Sequence, residues 1–139
     1  MIDINTLTTQ TLAALFDHTL LRPNATHEQL AQLCTQAIQY GFKMVAINSA
    51  PVAFCRECLN GSPVHVGAAI SFPLGQTTTA IKLAETERAI HDGADEIDYV
   101  INLTQVKQHN WKAVELEMSQ LTQLCRLNGV VLKAIFENC

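Results

Sequence analysis

Residues 93–102 read GADEIDYVIN, and the alternation inside this stretch decides how the chain is built. Gly93 closes the helical pattern before it, and the run from Asp95 to Asn102 reads as a β-strand. Side chains alternate across a strand, so Glu96, Asp98 and Val100 share one face while Ile97, Tyr99 and Ile101 share the other. A carboxylate inside an otherwise apolar strand is costly unless it is paired or faces a ligand. Asp98 is therefore the leading candidate for a functional residue. On spacing alone, the competing reading is a salt-bridged aspartate near a strand end.

The same two signals, a β-branched run and then a helical period, repeat on both sides. Toward the N-terminus come a helix over 77–92 after Pro73-Leu74-Gly75, a strand at 64–72, a helix from Pro51 to Gly61 and a strand at 43–48. Before these, Thr26-His27-Glu28-Gln29 has the T-x-x-Q form of a capping box and opens a helix to Tyr40, with Gly41 as its stop. Leu30, Leu33, Cys34, Ala37 and Ile38 have the spacing of a buried helical stripe. A first strand at 16–21 and a short leading helix at 5–14 complete this side. Toward the C-terminus, a helix built around Trp111, Val114, Leu116, Met118, Leu121 and Leu124 runs to about Asn128-Gly129, and 130–136 is a fifth strand.

The pattern predicts an α/β fold of parallel βα units in one domain over 1–139: a short leading helix, five strands and four intervening helices. Strands start about 29 residues apart, so eight such units need about 230 residues, within the range of a TIM (β/α)8 barrel. Five units alone could instead form a doubly wound open sheet, but no glycine fingerprint follows the first strand.

Hydrophobic residues at 48% and charged residues at 16% describe a globular interior. A net charge of -4, with nine scattered Lys and Arg, argues against a nucleic-acid partner. The opening MIDINTLTTQTLAALF has no basic region before an apolar one, and no apolar run reaches membrane-spanning length, so a cytoplasmic chain with no membrane partner is expected. Five cysteines are then expected as reduced thiols. Cys55 and Cys58 form a C-x-x-C that falls within a helix rather than at a strand-to-helix junction, and no second pair of metal ligands has zinc spacing. The motif reads as structural, and no metal is expected.

Several stretches in order carry a resemblance: DHTLL at 17–21, YGF through VAIN at 40–48, FPLG at 72–75 with Thr79 and Lys82 downstream, GADEIDYVIN at 93–102, and LKAIFE at 132–137. Together they resemble the N-terminal portion of the deoxyribose-phosphate aldolase family. The resemblance implies a TIM barrel and a class I aldolase that needs no metal or other cofactor. It implies cleavage of a small phosphorylated sugar, 2-deoxyribose 5-phosphate, to glyceraldehyde 3-phosphate and acetaldehyde. A barrel lysine forms a Schiff base whose iminium is the electron sink, and a carboxylate with a second lysine moves protons.

By that resemblance Asp98 is the proton relay, and Asp17 and Thr19, alternate residues of the first strand, belong to a polar substrate-facing network. His18 faces the other way and reads as a structural donor. Lys133 matches a supporting lysine of the fifth strand. Alternation puts it on one face with Ile135 and Glu137, so Glu137 or Asp98 is its expected partner. A strand lysine whose stem lies on apolar surface is the plainer alternative. Lys43 and Lys82 are expected at the surface. One departure is the stretch Ala46-Ile47-Asn48-Ser49, where the family often has a cysteine first and a proline last.

The family's Schiff-base lysine lies on a sixth strand in a K-T-S-T-G-type segment, and its second lysine lies on a seventh. Neither stretch is found in these 139 residues. The expectation is a barrel truncated after about the fifth strand and inactive alone. Open edges on the first and fifth strands would force rearrangement, pairing with another copy as a homo-oligomer, or instability. A non-catalytic, self-associating or binding half-barrel module is the alternative.

Overall fold

The computed structural model describes residues 7–138. Its elements are α1 (Thr9–Ala13), β1 (Asp17–Leu20), α2 (His27–Tyr40), β2 (Met44–Asn48), α3 (Val52–Cys58), β3 (His65–Ile70), α4 (Thr79–His91), β4 (Glu96–Val100), α5 (Leu103–Lys107), α6 (Trp111–Leu127) and β5 (Val131–Ile135). The first residues of the expected leading helix, 5 and 6, lie outside the described range, as does Cys139. Two helices, not one, connect β4 to β5. The side chain of Asn102 caps the additional one by accepting from the Gln105 backbone N–H.

All strand pairs are parallel, in the order β1-β2-β3-β4-β5. A doubly wound sheet reverses direction at a switch point, and this sheet does not. It also curls. β1 and β5 stand at opposite ends of the hydrogen-bonding order, yet Lys133 Nζ of β5 lies 2.9 Å from Asp17 Oδ2 of β1. A monotonic, curled run of parallel βα units is the geometry of a barrel wall.

The two faces of this wall have different chemistry. Val45, Ile47, Val66, Ala68, Ile70, Ile97 and Tyr99 lie on the outer face in one continuous core with Leu30, Leu33, Cys34 and Ala37 of α2 and Val52 and Cys55 of α3. The inner face carries Asp17, Met44, Gly67, Glu96, Asp98 and Lys133.

Helix α2 forms where the capping box predicts. Thr26 Oγ1 accepts from the Gln29 backbone N–H, the Gln29 side chain accepts from Thr26 N–H, and Gly41 closes the helix at φ 67°. Thr26→Ala is expected to lower unfolding free energy by about 1 kcal/mol, measured by urea denaturation. Ile38 does not complete the buried stripe; it is 46% exposed, because the α2 stripe closes at Ala37. In α6 the expected core positions Trp111 and Leu116 face outward, and the buried line is Glu117, Leu121 and Cys125, spaced by four.

Cys34 of α2 and Cys55 and Cys58 of α3 come together as free thiols. The hydrogen bond with Cys34, together with burial, holds the Cys55 thiol above its usual range. No helix among the described residues is long and apolar enough to cross a membrane.

Candidate functional site on the inner face of the sheet

Strand alternation and register bring three of the four sequence-predicted residues to one point. Asp98 pairs with Lys133 across β4 and β5, and both side chains turn inward. Lys133 Nζ donates to Asp17 Oδ2 at 2.9 Å and lies 3.1 Å from Asp98 Oδ1 and 3.5 Å from Glu96 Oε2. The plainer reading of Lys133 as a snorkelling side chain is therefore replaced by an ammonium among three carboxylates. Asp98, one of its two expected partners, is among them; Asp17 and Glu96 are additions. Thr19 lies on the same side of β1, but its hydroxyl donates to the Asp17 carbonyl of its own strand at 2.9 Å. His18, on the opposite face, hydrogen-bonds Gln36 at 2.9 Å and packs on Phe42.

The electrostatics follow from burial and from this geometry. Burial would lower the pKa of the Lys133 ammonium, but its hydrogen bond to Asp17 and the charge of Asp98 outweigh that and raise it above the ordinary lysine value. Burial raises the Asp98 carboxyl above the ordinary aspartate value, with Lys133 opposing and the charges of Asp17 and Glu96 adding to the rise. Asp98 Oδ1 is sealed from solvent, and Lys133 faces it off the hydrogen-bonding axis. This oxygen has a compensating charge but no aligned donor.

Glu96 ties the cluster to the N-terminal end of the sheet. Burial works against its charge, yet the His65 hydrogen bond, at 2.7 Å, acts with Lys133 and Lys43 to hold its carboxyl below the usual range. A carboxyl so depressed stabilises the fold above its unfolded pKa, and that contribution is lost as pH falls through the lower folded value.

Two features were not visible in the sequence. Lys82, expected at the surface, is wholly buried. Its Nζ donates to Glu117 Oε1 at 2.9 Å and to the Val100 carbonyl at 2.8 Å, while the same carboxylate accepts from Thr79 Oγ1 and from the Asn102 backbone N–H. The pair clamps the end of β4 between α4 and α6. The second feature is at the C-terminal ends of β2 and β3. Glu85 of α4 accepts from Ser49 Oγ at 2.7 Å and from the Ser71 backbone N–H at 3.0 Å. It thereby holds Ser71 at φ 58°, a left-handed conformation costing a non-glycine residue about 1 kcal/mol. Gly75 of the FPLG stretch sits at φ 65°, where a Cβ would overlap the Ile101 carbonyl, so this turn rests directly on the end of β4.

Among the described residues, no set of three or more histidine, cysteine or carboxylate side chains is grouped so as to hold a metal ion.

The family model for DeoC/LacD family aldolase matches residues 11–137, nearly the whole described chain. The chain belongs to the DeoC/LacD aldolase family. It is 48% identical over 127 residues to the deoxyribose-phosphate aldolase of Lactobacillus acidophilus, an alignment covering 91% of this chain and 54% of that one. It is 46% identical over 136 residues to the deoxyribose-phosphate aldolase of Bacteroides thetaiotaomicron, covering 98% of this chain and 57% of that one. Among solved structures, the deoxyribose phosphate aldolase of Aeropyrum pernix, described as a unique tetramer, superposes with a TM-score of 0.86 at 32% identity, covering 94% of this chain and 54% of that one. The chain thus spans about half the length of the family members it matches, and its curled sheet is the corresponding part of an aldolase TIM barrel.

Proposed function

We infer that the inner face supplies the proton-handling part of a Schiff-base aldolase site acting on a small phosphorylated sugar. The reaction is the one implied by the family: 2-deoxyribose 5-phosphate gives glyceraldehyde 3-phosphate and acetaldehyde. The observation that carries this reading is Asp98, a buried carboxyl with raised pKa and one oxygen lacking an aligned donor, set beside a lysine that remains a cation. Such a carboxyl can hold a proton and pass it to or from a ligand hydroxyl or carbon, which is general acid–base chemistry. Lys133 and Asp17 support it by fixing charge and position, and Thr19 lines the substrate side of β1.

Lys133 itself is the wrong amine for covalent chemistry. A nucleophilic lysine needs a lowered pKa so that it is neutral when it attacks, whereas three carboxylates stabilise the charged form here. Lys82 is sealed against Glu117, Lys43 lies at the N-terminal end of the sheet, and Lys107 and Lys112 are exposed on the helical layer. Among the described residues Lys133 is therefore the lysine that reaches Asp98, and on this reading the 139 residues by themselves are expected to have negligible turnover. The check is reduction with borohydride in the presence of acetaldehyde, with peptide mapping by mass spectrometry. Lys133 is expected to be labelled no more than the exposed lysines. A stoichiometric reduced adduct on Lys133 would overturn the assignment and make it the nucleophile.

A further inference from the structure

We propose that the recess at the C-terminal ends of β2 and β3, beside Asp98, binds a neutral, hydroxyl-bearing segment of a ligand through the paired hydroxyls of Ser71 and Thr77 and the carbonyl of Asn48. The recess has a volume of about 410 Å³ and is lined by Asn48, Ala69, Ser71, Phe72, Thr77 and Glu85, among others. Ala69 is the register partner of Asp98, so the recess opens next to the carboxyl assigned to proton transfer.

The uncommitted hydrogen-bonding groups of the recess define what it recognises. Ser71 Oγ and Thr77 Oγ1 lie 2.7 Å apart and share one hydrogen bond. Two hydroxyls carry two hydrogens, so one O–H and several lone pairs stay uncommitted. Ser71 is only 8% exposed, so its hydroxyl is held inside the recess rather than spent on bulk water. Asn48 donates its amide to the Leu21 carbonyl at 3.2 Å, which fixes the side chain and leaves its oxygen as an acceptor. The other polar groups already have partners: Glu85 accepts one hydrogen bond on each oxygen, from the Ser49 hydroxyl and the Ser71 N–H, and Gln76 is engaged through its amide nitrogen with Leu74 and through its oxygen with Thr104. One donor and one acceptor in fixed positions match the two-way hydrogen bonding of an alcohol.

Charge excludes an anion from this position. The lining holds no cation, and its one ionisable group is the Glu85 carboxylate. Arg22 lines the adjoining cavity of about 770 Å³, whose walls are mainly apolar. If the ligand is the sugar phosphate of the aldolase reading, on which this step rests, its hydroxylated carbon chain lies over β2 and β3 and its phosphate lies elsewhere. The backbone supports the same assignment: Glu85 maintains Ser71 in a left-handed conformation, and strain of this kind is kept where a side chain must be aimed.

The test is amide NMR titration of the ¹⁵N-labelled 139-residue chain with erythritol, an unreactive neutral polyol, and separately with inorganic phosphate. Erythritol is expected to shift the resonances of Asn48, Ser71 and Thr77, whereas phosphate leaves them in place. Thr77→Val removes one hydroxyl at constant shape from an exposed position and is expected to weaken erythritol binding about fivefold to tenfold. Ser71→Gly keeps the left-handed backbone accessible, removes the other hydroxyl and is expected to weaken binding by a similar factor. Equal affinity in wild type and Thr77→Val, no shifts with erythritol, or comparable shifts with phosphate would each overturn the proposal. Because the titration needs no turnover, polyol binding by a chain whose Asp98 proves irrelevant to catalysis would sink the aldolase reading and leave the recess standing.

Discussion

Replacing Lys82 with methionine is expected to lower the unfolding free energy of the chain by about 3–5 kcal/mol, the cost of leaving one member of a buried ion pair alone. Lys82 is fully buried and Glu117 is 4% exposed, so neither charge can recover hydration when the other is removed. The loss would extend beyond the pair. Lys82 also donates to the Val100 carbonyl, and the Glu117 carboxylate it steadies accepts from Thr79 and the Asn102 N–H. These bonds hold the strand end that presents Asp98 and the asparagine that caps α5. The double variant Lys82→Met/Glu117→Leu is expected to recover much of the loss, since an apolar pair of similar volume carries no desolvation cost. Urea denaturation of the three proteins measures the coupling. A single-variant loss below about 1 kcal/mol would show that the pair does not hold this part of the fold together.

This pair also marks what sequence could and could not reveal. The βα alternation was legible because strands and helices leave local periods of two and 3.6, and the Thr26–Gln29 capping box lies within four residues. Asp98 was legible for a similar reason: its neighbours in β4 are apolar, so its charge stands out. Lys82 and Glu117 are 35 positions apart and meet only when α4 packs against α6, so each alone looks like an ordinary surface residue. Helix α4 gave a misleading cue as well. Its apolar Ile81 is 54% exposed, while Lys82, Thr86 and Ala89 form the buried line. The three carboxylates around Lys133 depend on the curl of the sheet. Asp17 reaches across 116 positions, a closure that strand alternation alone does not specify. The Ser71–Thr77 recess depends on a positive φ at a serine, for which no glycine or asparagine gave warning.

Asp98→Asn is expected to reduce kcat about 10²- to 10⁴-fold, the usual contribution of a positioned proton-transfer group, with little change in KM. The assay needs a full-length chain. Residues 11–137 can replace the matching stretch of the Lactobacillus acidophilus deoxyribose-phosphate aldolase, to which this chain is 48% identical, with cleavage of 2-deoxyribose 5-phosphate measured. Asparagine keeps the size and shape of the side chain, and Lys133 retains Asp17 and Glu96, so the cluster should stay assembled without the proposed proton carrier. The pH profile distinguishes this loss from a packing defect. Burial raises Asp98 above the ordinary aspartate value, so protonation begins at a higher pH than for an exposed aspartate. The acidic limb of the parent chimera's profile should show this shift and should be absent in Asp98→Asn. Asp17→Asn removes a more exposed charge and is expected to have a smaller effect on kcat, because it alters how Lys133 is held rather than the proposed proton-transfer group. Activity of Asp98→Asn within about threefold of the parent would remove Asp98 from the mechanism and reduce the inner cluster to a structural ion network.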